Sequence, residues 1–83
     1  MTLEKVLEEL GFKKSEHFKD LWQQDWSNFH VRLNFNKQTA YYWSSLTDLS
    51  DSYSQWINYK NLVELQNKLL KAEQNARYML GVD

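Results

Sequence analysis

The sequence predicts an α+β fold: an antiparallel β-meander of about three strands, covered on one face by an N-terminal and a C-terminal helix. Three observations predict it. Apolar residues recur at helical spacing near both ends of the chain, a central segment alternates apolar and polar residues, and that segment is rich in aromatic side chains. The expected order is α-β-β-β-α, and the length of 83 residues predicts a single domain, residues 1–83.

The first element is a short amphipathic helix, because apolar residues recur every three or four positions over residues 2–10. Thr2 is placed to cap its start. Gly11 is placed to take the left-handed conformation after its last turn, with Phe12 folding back onto Leu7 in a Schellman arrangement.

The segment of residues 13–26 fits a strand almost as well as a helix, and the strand is favoured. In that interpretation the strand ends at a turn formed by residues 23–25. A clearer hairpin follows: residues 29–35 alternate between an apolar and a polar face, residues 36–39 form the loop, and residues 40–45 form the return strand.

The register of this hairpin is expected to follow from a pairing of Phe35 with Ala40. That register places Leu33 opposite Tyr42 on the buried face, and Asn34 opposite Tyr41 and Arg32 opposite Trp43 on the polar face. A slip of one residue would exchange the two faces.

The last element is a long helix, secure over residues 62–80 and ending at Gly81, after a Ser- and Asp-rich loop at residues 44–54. Its start has two candidates, a cap at Ser52 or a cap at Asn61. One stripe of this helix is apolar and consists of Leu65, Leu69, Ala72, Ala76 and Met79. The stripe is expected to cover the sheet, or in part to pack against a second copy of the chain as a dimer face.

The candidate binding site is the polar face of the hairpin, which collects His30, Arg32, Asn34, Tyr41 and Trp43. Aromatic rings beside a cation are typical of hot spots for protein partners and of platforms for single-stranded nucleic acid. A purely structural alternative is that Arg32 lies over Trp43 as a cation–π pair that shields a thin sheet. The net charge of −1, with acids and bases interspersed, favours a protein partner over nucleic acid.

Several classes of site are not expected. The chain has no Cys, its two His have no ligand spacing, and its two Gly form no phosphate-binding loop, so we predict no metal, no cofactor and no catalytic residues. Residues 1–10 alternate charge with leucine and contain no signal peptide or membrane span, which predicts a cytoplasmic protein without a membrane partner.

The chain resembles the small accessory proteins carried by phages and mobile elements of low-GC bacteria. The resemblance covers a short helix ending in LGF, tryptophan-bearing strands, an NFNKQTAYYW hairpin and an NLVELQNKLL helix. It implies an inhibitor of a host defence protein or a regulator of phage genes, rather than an enzyme. The element order also resembles a double-stranded-RNA-binding domain, but the final helix lacks the lysine cluster with which such a domain contacts phosphates.

The sequence therefore predicts a non-catalytic module that binds a host or phage protein and inhibits it by steric occlusion. The alternative is a nucleic-acid-binding regulator, dimeric through the C-terminal helix.

Overall fold

The computed structural model describes residues 2–82 and contains two helices and five strands within them. In chain order they are α1 (Leu3–Glu9), β1 (Lys13–Lys14), β2 (Leu21–Trp26), β3 (Phe29–Asn34), β4 (Thr39–Ser44), β5 (Tyr53–Trp56) and α2 (Leu62–Leu80), with one 3₁₀ turn at Leu49–Asp51. The strands form one antiparallel sheet in the order β1-β2-β3-β4-β5, so each strand pairs with its neighbours in the chain.

The predicted α+β class and antiparallel meander are confirmed, but the sheet has five strands rather than about three. The two additional strands are its edges. β1 has only two residues, and β5 has four, of which the first two fall in the predicted loop at residues 44–54. Segments this short carry too little periodicity to be identified, because pairing with the adjacent strand is what makes them strands.

The helix α1 has the predicted signals at both ends. Thr2 Oγ1 accepts a backbone hydrogen bond of 3.2 Å, and Gly11 is left-handed with a φ of 92°. The amides of Gly11 and Phe12 donate to the carbonyls of Glu8 and Leu7 at 3.0 and 2.9 Å, which is the Schellman arrangement. The side chains of Phe12 and Leu7 are both buried in the core.

Within residues 13–26 the structure forms strands, but the turn predicted at residues 23–25 is wrong, because these residues lie inside β2. The chain reverses at residues 27–28 instead. Two polar side chains of β2 have hydrogen-bond partners outside the strand: Gln24 Nε2 donates to the carbonyl at the end of α1 at 3.0 Å, and Asp25 accepts hydrogen bonds from β3.

The hairpin of β3 and β4 is present, but its register differs by two residues from the predicted one. The pairs are Phe29 with Ser44, His30 with Trp43, Val31 with Tyr42, Arg32 with Tyr41, Leu33 with Ala40 and Asn34 with Thr39. Phe35 belongs to the turn, because its amide donates to the Asp20 carbonyl at 3.0 Å and its carbonyl accepts from the Gln38 amide at 3.4 Å. A shift of two residues preserves the predicted faces.

The helix α2 has the predicted bounds. Asn61 Oδ1 accepts from the Glu64 amide at 2.9 Å, and the Glu64 carboxylate accepts from the Lys60 amide at 3.2 Å, which forms a reciprocal cap. The alternative start at Ser52 is wrong, because the chain continues from there into β5. Gly81 ends the helix in the left-handed conformation, with a φ of 68°.

Alternate strand residues and the apolar stripes of the helices share one buried cluster. The sheet contributes Trp22, Phe29, Val31, Leu33, Ala40 and Tyr42, α1 contributes Leu7, and α2 contributes Leu65, Leu69, Ala72, Ala76 and Leu80. α2 lies against β4 and β5, and α1 lies against α2. We call the sheet face that carries these buried residues the inner face, and the opposite face the outer face.

Candidate functional site

The outer face carries all five residues of the predicted binding site. Its side chains lie in three rows across the strands: Leu21, Asn34, Thr39 and Trp56; Lys13, Gln23, Arg32, Tyr41 and Ser54; and Asp25, His30 and Trp43. The rows follow from strand alternation, because every second residue of each strand points to this side. The five predicted residues lie on β3 and β4, the two strands of the hairpin.

Trp43 is the centre of a cluster of rings on the outer face. The His30 ring stacks on it at 5.2 Å between centroids, and the Tyr41 ring lies 5.4 Å away at a tilt of 43°. The Arg32 guanidinium carbon lies 5.0 Å from the Trp43 ring centroid, within cation–π range. The cation–π contact is thus present, and it is part of a larger arrangement of three rings.

Asp25 binds both basic side chains of this cluster through one oxygen. Asp25 Oδ1 accepts from His30 Nδ1 at 2.8 Å and from Arg32 Nη1 at 2.9 Å. Burial acts to raise the pKa of the Asp25 carboxyl, but the hydrogen bonds from His30 and Arg32 and their charges outweigh burial and hold that pKa below its ordinary value. We call Asp25, His30, Arg32, Tyr41 and Trp43 the ring cluster.

The ring cluster remains accessible to a partner. Tyr41 is exposed and Trp43 is half-buried. The side chains of His30 and Arg32 are 23% and 29% exposed to solvent. Their mutual stacking accounts for part of the area they lose. The indole of Trp43 is therefore not sealed in the interior, and the cluster presents rings held in one geometry.

Asn34 lies on the outer face but has a different role. It pairs with Thr39 rather than with Tyr41, and its Oδ1 accepts from the Lys37 amide at 3.1 Å. The side chain thereby stabilises the turn between β3 and β4. Asn34 also lines a shallow groove of about 390 Å³ beside the exposed ring of Phe18.

The predicted site lacks two outer-face side chains that bear on binding, the anion of the ring cluster and the most exposed tryptophan. Asp25 is missed because the residues around it resemble a turn. Trp56 is missed because the segment around it resembles a loop or a helix start, although the structure places it on β5 with its side chain 63% exposed. No local signal identifies Trp56, because Tyr53–Trp56 reads ring, polar, polar, ring and has no period of two.

The predicted dimer face is largely inside the chain's own core. Leu65, Leu69, Ala72 and Ala76 are each exposed by 2% or less, whereas Met79 is exposed by 66%. The first four side chains belong to the buried core cluster and are not free to contact a second copy.

The described residues hold no group of three or more His, Asp or Glu placed to bind a metal ion. Their only paired His is His30, whose Nδ1 is engaged by Asp25. Neither described helix combines the length and hydropathy that crossing a bilayer requires.

Comparison of the chain with family models, with curated proteins and with solved structures found no match.

Proposed function

We propose that this protein is a non-catalytic protein-binding module that docks through the outer face of its sheet. The proposal takes both helices to cover the inner face, which the shared core of α1, α2 and the sheet supports. The observation that carries the proposal is the ring cluster, in which Trp, Tyr and Arg side chains lie together at the surface. These three residue types are the ones most enriched among the hot spots of protein interfaces.

The geometry of the ring cluster suits a rigid docking surface. Stacking and the two hydrogen bonds to Asp25 hold His30, Arg32 and Trp43 in place before a partner arrives. Little side-chain entropy then remains to be lost on binding, which favours affinity. Because the cluster lies on paired strands rather than on a loop, its rings keep their spacing.

A protein partner is favoured over nucleic acid by the electrostatics of this face. Asp25 forms an ion pair with the Arg32 guanidinium, and this pairing reduces the positive charge that a phosphate would contact. The chain has a net charge of −1. An interface that mixes rings with a paired cation and anion is typical of protein–protein recognition.

We take the partner to be a host or phage protein in the cytoplasm and the effect to be inhibition by steric occlusion. The resemblance to phage accessory proteins supports this choice, and a chain of 83 residues is large enough to cover a partner's site without chemistry of its own. A standard interface buries about 800 Å² on each partner. The total surface of the described chain is 5685 Å², so such an interface occupies a minor part of it.

The test is capture from a bacterial lysate by the immobilised protein, compared with two matched variants. The double variant Arg32→Ala, Trp43→Ala removes the centre of the ring cluster, and Tyr78→Ala removes a ring that is 89% exposed on α2. We expect the double variant to lose the captured protein and Tyr78→Ala to retain it. Backbone amide shifts on adding the purified partner should then map to β3 and β4. Capture that depends on Tyr78 and not on the ring cluster would contradict the proposal.

Single-stranded nucleic acid is the second candidate, with the protein acting as a regulator. Tyr41, Trp43 and Trp56 offer stacking surfaces, and Lys13 lies in the same row as Arg32. This function requires oligonucleotide binding that weakens steeply between about 20 mM and about 200 mM salt. An absence of binding at the lower concentration would remove it.

A further inference from the structure

The two edges of the sheet differ in how they are protected. The β1 edge is two residues long and consists of Lys13 and Lys14, both exposed. Short edge strands and lysine are the usual devices that prevent a sheet from pairing with another chain. The β5 edge is Tyr53–Trp56, twice as long and without a charged residue, proline or glycine. Such an edge is open to strand addition.

The backbone groups that β5 leaves unpaired can be identified from the pairing pattern. The Ile57 amide donates to the Gln38 carbonyl at 2.7 Å, and antiparallel strands bond at every second residue. Tyr53 and Gln55 therefore bond to β4. The amides and carbonyls of Ser54 and Trp56 point away from the sheet.

The residues that flank these positions each have one backbone group occupied and one available. The Ser52 amide donates to the Leu49 carbonyl at 3.2 Å, and the Asn58 carbonyl accepts from Lys68 Nζ. Among the described residues, the Ser52 carbonyl and the Asn58 amide have no such partner. Along this edge, the available backbone groups are therefore the Ser52 carbonyl, both groups of Ser54 and of Trp56, and the Asn58 amide.

We propose that this edge pairs with the β5 edge of a second copy of the chain, antiparallel and centred on Gln55. Ser54 then lies opposite Trp56 of the partner copy, and the two residues exchange both backbone hydrogen bonds on each side of the two-fold axis. The available Ser52 carbonyl lies opposite the available Asn58 amide. The two occupied groups face each other, so no backbone group is left unpaired.

The two neighbouring registers fit these engaged groups less well. A pairing centred on Ser54 places the occupied Ser52 amide opposite a Trp56 carbonyl, which then has no donor. A pairing centred on Trp56 places the Asn58 carbonyl, which already accepts from Lys68 Nζ, opposite a Ser54 amide, which must then share that acceptor with the lysine. The contacts within each chain therefore select the register centred on Gln55 over both neighbours.

The side chains agree with this register. Ser54 and Trp56 both point to the outer face and are both exposed, so each large indole lies beside a small serine across the seam. With no charge on β5, two copies meet without like-charge repulsion. The result is one continuous sheet of ten strands, with the two ring clusters on the same face. This inference is independent of the proposed function, since it uses only the β5 edge.

The wild-type test is amide hydrogen exchange by NMR, with sedimentation equilibrium, from about 1 μM to about 1 mM, where small interfaces associate. We expect the mass to rise from 10.1 kDa toward twice that value. Exchange at the amides of Ser54, Trp56 and Asn58 should slow as the mass rises, whereas the Gln55 amide is protected at every concentration. A monomer throughout, or a dimer in which these three amides exchange freely, would overturn the proposal.

A pair of matched variants tests the surface. Ser54→Lys places two like charges on one face of the seam and should weaken association about tenfold or more. Ser27→Lys adds the same charge at an exposed serine in the turn between β2 and β3, away from this edge, and should associate like the wild type. Equal weakening by both variants would show a general charge effect and contradict pairing through β5. Circular dichroism verifies that both variants are folded. If a variant does not fold, the hydrogen-exchange measurement on the wild type still tests the proposal.

Discussion

Gly11 and Gly81 both follow a helix in the left-handed conformation, but they differ in their surroundings. A Cβ on Gly11 would lie 2.5 Å from Gln24 Nε2, the atom that donates to the Leu10 carbonyl. A Cβ on Gly81 would meet no atom within 4 Å. The first glycine is therefore required by backbone conformation and by close packing, and the second by backbone conformation alone.

We expect Gly11→Ala to lower the free energy of unfolding by about 2–3 kcal/mol, from left-handed strain and loss of the Gln24 hydrogen bond. Gly81→Ala is the control and should cost about 1 kcal/mol, since it adds only strain. Urea unfolding of both variants measures the difference. Equal costs would mean that the contact between Gln24 and the end of α1 contributes nothing.

Asp25 gives the ring cluster a dependence on pH. The pKa of its carboxyl is lowered in the folded chain, so its contribution to stability is present above the ordinary pKa of about 4 and is lost as the pH falls through the folded value. We expect the wild type to be more stable than Asp25→Asn near neutral pH and the difference to shrink as the pH is lowered below about 4. Urea unfolding across this range measures it. Glu64, whose pKa is also lowered, is present in both proteins and cancels. A difference that stays constant with pH would contradict the assigned role of the carboxylate.

Among the elements, α2 shows how much local signals can specify. Its cap, its apolar stripe and its terminal glycine are all encoded within residues 61–81, and its bounds are predictable for that reason. The hairpin is different. Its two faces follow from alternation, but its register places Phe35 in the turn, where the Phe35 amide donates to the carbonyl of Asp20, the residue just before β2. The sequence of the hairpin alone does not predict this hydrogen bond.

The cap of α2 is expected to contribute measurable stability. Asn61→Ala removes the acceptor for the Glu64 amide and should lower the free energy of unfolding by about 1 kcal/mol. Asn75→Ala, at an exposed position inside the same helix, should leave stability unchanged or raise it slightly, because alanine has the higher helix propensity. Thermal unfolding followed by circular dichroism compares the two. A loss from Asn75→Ala as large as that from Asn61→Ala would contradict the capping role.

Across the complete sheet, the tryptophans are divided between the two faces. Trp22 is buried on the inner face at 6% exposure, whereas Trp43 and Trp56 lie on the outer face. Composition alone indicates more aromatic area than so small a core readily buries. The structure assigns the individual rings to one face or the other through strand alternation.

This division predicts opposite outcomes for substitution by alanine. Trp22→Ala should lower the free energy of unfolding by about 3–5 kcal/mol, which is a large share of the stability of a small domain. The double variant Arg32→Ala, Trp43→Ala should cost about 2 kcal/mol or less, since it removes surface ring and cation–π contacts. Far-UV circular dichroism and urea unfolding measure both. Loss of folding in the double variant would make the ring cluster structural, and the proposed docking face would have to be abandoned.

The candidate site was predictable in part. His30, Arg32, Tyr41 and Trp43 share a face because period-two alternation is a local property of each strand, and a register error of two residues leaves it intact. Asp25 and Trp56 join them only through pairing between strands that are separate in the chain. Their positions depend on contacts that no single segment encodes.

Local patterns in the amino-acid chain suffice for the α+β class, both helices and the sidedness of the hairpin, because caps and periodicity act over a few residues. The five-stranded sheet, the two-residue shift of register and the open β5 edge arise only in the folded chain. Edge strands and register depend on which distant backbone groups find each other, and that selection is made by packing and hydrogen bonding over the entire sheet.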